Sequence, residues 1–216
     1  MKRKLFLLTA IILSFSLFLT ACKQGEIDEA KAKEIALNYV NNMFDANETQ
    51  ASVEQDQMEY YRDETGALVT AGDGSSSLER LYFVRVPEET SIIQYEVAIL
   101  GSTGEVLYAS RGTSSIRLTD AQKKQAEAFY VETSEWEDLH VSAMQSLRQA
   151  CFDWAKTKLD ESRPVVLDAN RGEMPGVKQR QFGHSYYVVT RDGRVYSVSM
   201  QWPSMQVMSI EVIHAK

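Results

Sequence analysis

Ile92-Ile-Gln-Tyr-Glu-Val-Ala-Ile-Leu-Gly-Ser-Thr-Gly-Glu-Val-Leu-Tyr-Ala-Ser110 decides the fold class. From Ile93 to Ile99 apolar residues alternate at period two, with Gln94, Glu96 and Ala98 on the other face. That is the pattern of a strand with one buried face. Gly101-Ser-Thr-Gly104 is turn composition, and the chain resumes as a second strand, Glu105 to Ser110. Upstream, Leu81-Tyr-Phe-Val-Arg-Val86 is rich in aromatic and β-branched residues and predicts another strand, and Met58-Glu-Tyr-Tyr-Arg62 a further one. Asp63 to Ala67 reads as a turn, and Ala71-Gly-Asp-Gly-Ser-Ser-Ser77 as a loop.

Helices precede the strands. Asp28 reads as an N-cap, and Ala32, Ile35, Ala36, Tyr39, Val40 and Met43 recur at helical spacing. A second helical stretch opens at Thr119 and runs through Asp120 to Tyr130. A third covers about 139–160, with Val141, Met144, Leu147, Cys151, Trp154, Ala155 and Leu159 on one stripe, and Pro164 bounds it. Strands follow at Val165–Ala169, Ser185–Thr190, Val195–Met200 and Met205–Ile213. Asp192-Gly193 between two alternating runs signals a hairpin with positive φ at both turn positions. Helices and strands in blocks predict an α+β fold in which helices pack on antiparallel meanders. The expected organisation is two similar helix-plus-sheet subdomains, 28–110 and 119–216.

The first residues predict where the protein resides. Lys2, Arg3 and Lys4 precede a 15-residue apolar run, Leu5 to Leu19, which is short for a membrane span of about 20 residues. A basic start, a short apolar run and small residues before a cleavage point describe a secretory signal, here 1–21. Leu19-Thr20-Ala21-Cys22 resembles the lipobox of bacterial lipoproteins. That resemblance implies cleavage before Cys22, acylation of its thiol, and anchoring in the bilayer on the extracytoplasmic face of a bacterial cell membrane, with 22–27 as a tether. The other reading is an uncleaved N-terminal membrane helix.

The whole chain has 216 residues, 30 acidic and 23 basic, for a charge of −7. Without residues 1–21 it keeps all 30 acids and 20 bases, so its charge becomes −10. This argues against nucleic acid, whose partners present a basic face. It also means that acyl chains, not charge, must hold the protein at an anionic membrane. Cys151 would be the remaining thiol, and its apolar helical stripe predicts burial.

Ile27-Asp-Glu-Ala-Lys-Ala-Lys-Glu-Ile-Ala-Leu37 and Tyr95-Glu-Val-Ala-Ile-Leu-Gly-Ser-Thr-Gly-Glu-Val-Leu107 together resemble the helix and hairpin of PepSY-type modules. Tyr186-Tyr-Val-Val-Thr-Arg-Asp-Gly-Arg-Val-Tyr196 echoes that hairpin in the second half. The resemblance covers 27–110. It implies an extracytoplasmic binding or inhibitory module and carries no catalytic residue.

Signatures of chemistry are sparse. His140, His184 and His214 stand in no H-E-x-x-H, H-x-H or C-x-x-C pattern. Cys151 lies mid-helix, where no helix dipole lowers its pKa. Glu132, Glu135, Glu137 and Asp138 suit either weak calcium binding or a solvated helix junction. Met200, Trp202, Met205 and Met208 suit a core, an exposed partner face or a copper(I) site. The expected protein is therefore a non-catalytic lipoprotein with no cofactor and no metal. Its partners are the bilayer, through acylated Cys22, and an envelope protein or other envelope component. Tyr82, Tyr95, Tyr186, Tyr187 and Trp202 are the candidate partner-binding residues, because aromatic anchors dominate interface energetics. The alternative is a solute- or metal-binding lipoprotein serving a transporter.

Overall fold

The computed structural model describes residues 26–62, 68–70, 78–86, 94–112, 116–129, 136–169 and 182–214, with side chains in 26–54, 80–86, 94–112, 116–128, 139–169 and 182–213. The signal segment, Cys22, Glu132, Glu135, the turn at 63–67 and the loop at 71–77 lie outside the described residues. No helix among the described residues is long and apolar enough to cross a membrane.

Helix α1 (Glu29–Met43) begins as the sequence predicts. The Asp28 carboxylate accepts from the Lys31 backbone N–H at 2.8 Å and so satisfies one orphan donor of the first turn. Ala32, Ala36 and Val40 are fully buried. Their i, i+4, i+8 spacing and small size let the helix lie close to the sheet. Five strands follow: β1 (Ser52–Arg62), β2 (Leu68–Thr70), β3 (Leu78–Val86), β4 (Tyr95–Leu100) and β5 (Val106–Arg111). Then come α2 (Asp120–Phe129), α3 (Trp136–Lys158), β6 (Val165–Asp168), β7 (Phe182–Val189), β8 (Val195–Trp202) and β9 (Gln206–His214). β1 is longer than its sequence pattern predicts, and β2 has no strand signal of its own.

The strands form one antiparallel sheet in the order β2-β1-β3-β4-β5-β9-β8-β7-β6. The fold is α+β, with helices packed on this sheet. The first half is one helix and the second half two, each followed by a four-stranded meander (β1-β3-β4-β5, with β2 added beside β1, and β6-β7-β8-β9), and the last strands of the two halves pair. The halves therefore share a sheet instead of holding one each. By this topology β4–β5 corresponds to β8–β9. The sequence echo at Tyr186–Tyr196 falls on β7–β8, which is not the equivalent hairpin.

One transverse row shows where the core sits. Val53, Val84, Val97, Ala109, Ile210, Val198 and Tyr186 are successive cross-strand partners from β1 to β7. All but the half-buried Val53 are buried, and they join one apolar cluster with residues of all three helices. In α3 the buried stripe is Ala143, Leu147, Cys151 and Ala155. Val141, assigned to that stripe by periodicity, is 53% exposed. At 3.6 residues per turn Val141 lies about 100° round the helix from the centre of that stripe, so it turns away from the sheet although Ala143 at the same end is buried.

The neighbouring row points the other way. Glu96, Ser110, Ser209, Ser199 and Ser185 are cross-strand partners on the opposite face, and the Ser185 and Ser199 hydroxyls lie 2.7 Å apart. Two turns rest on glycine. Gly104 has φ 76°, and a Cβ there would meet the Ile35 side chain at 3.0 Å. Gly193 has φ 90°, whereas Asp192 does not have positive φ. Positive φ at Gly193 alone, with Thr190 and Arg194 bonded across the loop at 3.0 Å, is the three-residue hairpin with a bulge, not the two-residue turn predicted.

Candidate functional site

Four of the five aromatic residues proposed as partner anchors are buried. Tyr82 is 1% exposed, and its hydroxyl donates to the Ile27 carbonyl at 2.9 Å. Tyr186 is fully buried, and its hydroxyl donates to the Met144 carbonyl at 3.2 Å. Burial holds its phenol well above the usual range, with Asp168 adding to the effect. The two tyrosines lie on equivalent strands: Tyr82 ties the residue before the α1 N-cap to the sheet, and Tyr186 ties α3 to it. Tyr95 packs against Phe44, and Trp202 stacks on Phe182 at 5.3 Å. A ring enclosed by its own core offers a partner no surface, which removes these four as surface anchors.

Tyr187 differs. It lies half-buried on the serine-bearing face, directly opposite Leu167 of β6, and Val189 lies opposite Val165. Val165 and Leu167 are 52% and 49% exposed. Cross-strand partners share a face, so these four side chains form one apolar patch at the sheet edge. Ala169 donates to the Ser185 carbonyl at 3.1 Å, so the alternation of antiparallel bonds turns the Val166 carbonyl outward. Arg148 of α3 reaches that carbonyl at 2.9 Å. The edge is thus partly occupied by the protein's own side chain, and what β6 offers outward is its apolar face. The sequence marks β6 as a strand but holds no signal that it is the edge.

A second feature sits where the halves meet. The carboxyl ends of α1 and α3 come together: the Trp154 indole donates to the Met43 carbonyl at 3.1 Å, and Lys158 pairs with Asp45. Between them and β4, β5 and β9 lies a cleft of about 390 Å³. Met43, Phe44, Tyr95, Arg111, Trp154 and Met205 line it, with Met200 and Val207 deeper and Asp45 and Gln206 at hand. The Arg111 guanidinium stands 5.3 Å from the Phe44 ring centre and 5.5 Å from that of Tyr95. It donates to the Phe44 carbonyl and to Gln206 Oε1, and its Nε is buried without an acceptor among the described residues. Arg111 makes no ion pair among the described residues. The composition of β5 does not announce this role.

The remaining candidates are ordinary. Cys151 is fully buried, and burial pushes its thiol up to about 12, away from the thiolate that nucleophilic chemistry needs. His140 and His184 do come near each other, and His184 lies 3.5 Å from Asp168. His140 is held below its usual range by burial and then by the charge of His184. No group of three or more His, Cys, Asp or Glu side chains among the described residues is arranged to hold a metal. The His214, Glu137 and Asp138 side chains lie outside the described ones. Met200 and Trp202 are core residues, and Met208 is half-buried on β9.

No protein-family model and no curated protein matches the chain. Among solved structures it is similar to the Bacillus megaterium YpeB C-terminal domain, with a TM-score of 0.42 and 11% identity over 87% of this chain and 64% of that one. The chain thus spans less than two thirds of that structure's length. A likeness at this level assigns neither a family nor a function.

Proposed function

We propose that the protein is a lipid-anchored, extracytoplasmic, non-catalytic binding or regulatory module for a protein or other component of the bacterial envelope. The lipobox-like Leu19-Thr-Ala-Cys22 supports the anchor, and the resemblance of 27–110 to PepSY-type modules supports the class. The observation that carries the reading is the edge patch: Val165 and Leu167 half exposed beside Tyr187. Apolar side chains clustered at such exposure mark interaction surfaces more often than scattered ones do. Arg148 on the Val166 carbonyl favours contact through this face over addition of a strand.

The test is made in the organism's own membranes with the full chain. A photo-crosslinking residue replaces Leu167 in one variant and Ser209 in another. The expected result is one discrete adduct at 167, lost when Val165→Asp is added, and none at 209. Equal labelling at both positions, or none at either, overturns the patch as the binding surface. Labelled fatty acid should enter the chain and fail to enter Cys22→Ala; labelling that persists overturns the anchor.

A further inference from the structure

We propose a second binding site, separate from the β6–β7 patch: the cleft between the halves binds a small apolar carboxylate. Arg111 takes the carboxylate, and Trp154, Met43 and Met205 hold the apolar body.

Charge comes first. Asp45 is the carboxylate nearest to hand, and it is turned to Lys158. Arg111, half-buried over two aromatic faces, meets only neutral acceptors among the described residues. Among these residues the cleft therefore holds one positive charge without an ion partner, in partly desolvated surroundings where a charge-assisted hydrogen bond to an anion is strong. A guanidinium matches a carboxylate with two parallel N–H bonds. One of its acceptors, Gln206, is exposed, so its side chain is free to swing out and yield its place to a ligand oxygen. Phe44 O stays and keeps the guanidinium aimed.

Shape and lining come next. A volume of about 390 Å³ is within the usual range for small-molecule pockets. Thioethers adapt to irregular apolar bodies, and Trp154 adds a flat wall. The lining is mixed, with Asp45, Arg111 and Gln206 beside Met43, Trp154 and Met205, and one cation in it suits a monoanion with an apolar portion rather than a polyanion. The backbone adds an independent sign. Met205, at the cleft, has φ of 57°. The left-handed region is rare for a residue such as methionine, and strain of this kind clusters at ligand clamps.

The same chemistry is found in a free acid and at the C-terminus of a peptide. The full chain in lipid nanodiscs, with its methionine methyls labelled, is titrated with 3-phenylpropionate and with acetyl-Ala-Ala-Phe, each against its amide. Empty nanodiscs are subtracted. Shifts should be confined to Met43, Met200 and Met205, and an acid should bind roughly ten- to a hundredfold tighter than its amide, the effect of one charged hydrogen bond. Preference for the free acid assigns a solute, and preference for the peptide assigns a chain end. Arg111→Gln should abolish the preference for acid. Should that variant fail to fold, Met205→Trp, which fills the cleft from its mouth, should abolish binding with Arg111 in place. No shift at millimolar acid, equal binding of acid and amide, or shifts spread over the other methionines overturns the site. The crosslinking at Leu167 is unaffected by any of these results, so the two sites fail separately.

Discussion

Asp160 follows α3 with φ 50°, and Asp45 follows α1 with φ 54°, so both long helices end on an aspartate in the left-handed region. Each is preceded by a residue whose N–H closes the last turn: Phe44 to the Val40 carbonyl and Leu159 to the Ala155 carbonyl, both at 3.0 Å. Glycine is the usual residue at this position because a Cβ there is strained by about 1–2 kcal/mol. Aspartate tolerates it better than most residues, and glycine's extra freedom in the unfolded chain offsets part of the gain. The two sites differ in what the side chain does. Asp45 pairs with Lys158, whereas Asp160 is exposed and forms no bond among the described residues. Asp160→Gly should therefore raise stability by about 0.5–1 kcal/mol, a rise of roughly 1–4 °C in melting temperature for a chain of this size. Asp45→Gly should gain less, because it also loses the ion pair. Thermal unfolding of both variants checks this, and a drop on Asp160→Gly would mean that its carboxylate has a role.

At the scale of elements, local patterns were legible and long-range ones were not. The Asp28 cap, the α1 stripe, the core face of β4 and the turn at Gly104 follow from spacing alone, because each depends on neighbours within a few residues. Val141 was misplaced because the buried stripe centres on Ala143, Leu147, Cys151 and Ala155, and Val141 lies about 100° round the helix from that centre. Tyr82, Tyr95, Tyr186 and Trp202 were misread because an aromatic in a strand has the same letter whether it faces a helix or a partner. Glu161 was not legible at all. It is 7% exposed in the connection from α3 to β6, and its two oxygens accept from the backbone N–H of Arg191 at 2.6 Å and of Arg163 at 3.1 Å. It thereby fastens that connection to the β7–β8 hairpin. The Arg191 N–H, then that of Arg163, holds its carboxyl below the usual range. A depressed carboxyl stabilises the fold fully above its unfolded pKa of about 4.3 and loses that contribution as pH falls through the folded value. Glu161→Gln should be less stable than the parent in urea at neutral pH, and the difference should shrink as pH falls below about 4. A difference that stays constant with pH would mean that the charge does not hold the hairpin.

At the scale of the molecule, the question is whether the two halves unfold together. The seam is narrow: Tyr108, Ala109 and Ser110 of β5 face Glu211, Ile210 and Ser209 of β9. About a hundred residues separate these partners, and no sequence pattern pairs them. Other ties cross the same boundary. Arg111 bonds both Phe44 and Gln206, the Trp154 indole reaches Met43, and Lys158 meets Asp45. Beneath them runs one apolar cluster containing residues of both halves. A shared core couples its parts more strongly than a docked interface does, because neither half can expose its side of the seam without opening the other's. Ile210, 1% exposed in the central row, is the residue to probe. Ile210→Ala should cost about 2–5 kcal/mol by loss of burial and the cavity left behind. The loss should appear equally in both halves: the hydrogen-exchange protection of Val198 and that of Ile99 should fall together. If Ile99 keeps its protection while Val198 loses its own, the halves are separate folding units that share a sheet only in outline. Joint loss would give the cleft at Arg111 a physical consequence: a ligand there, touching both halves, would raise the melting temperature of the whole protein in one step.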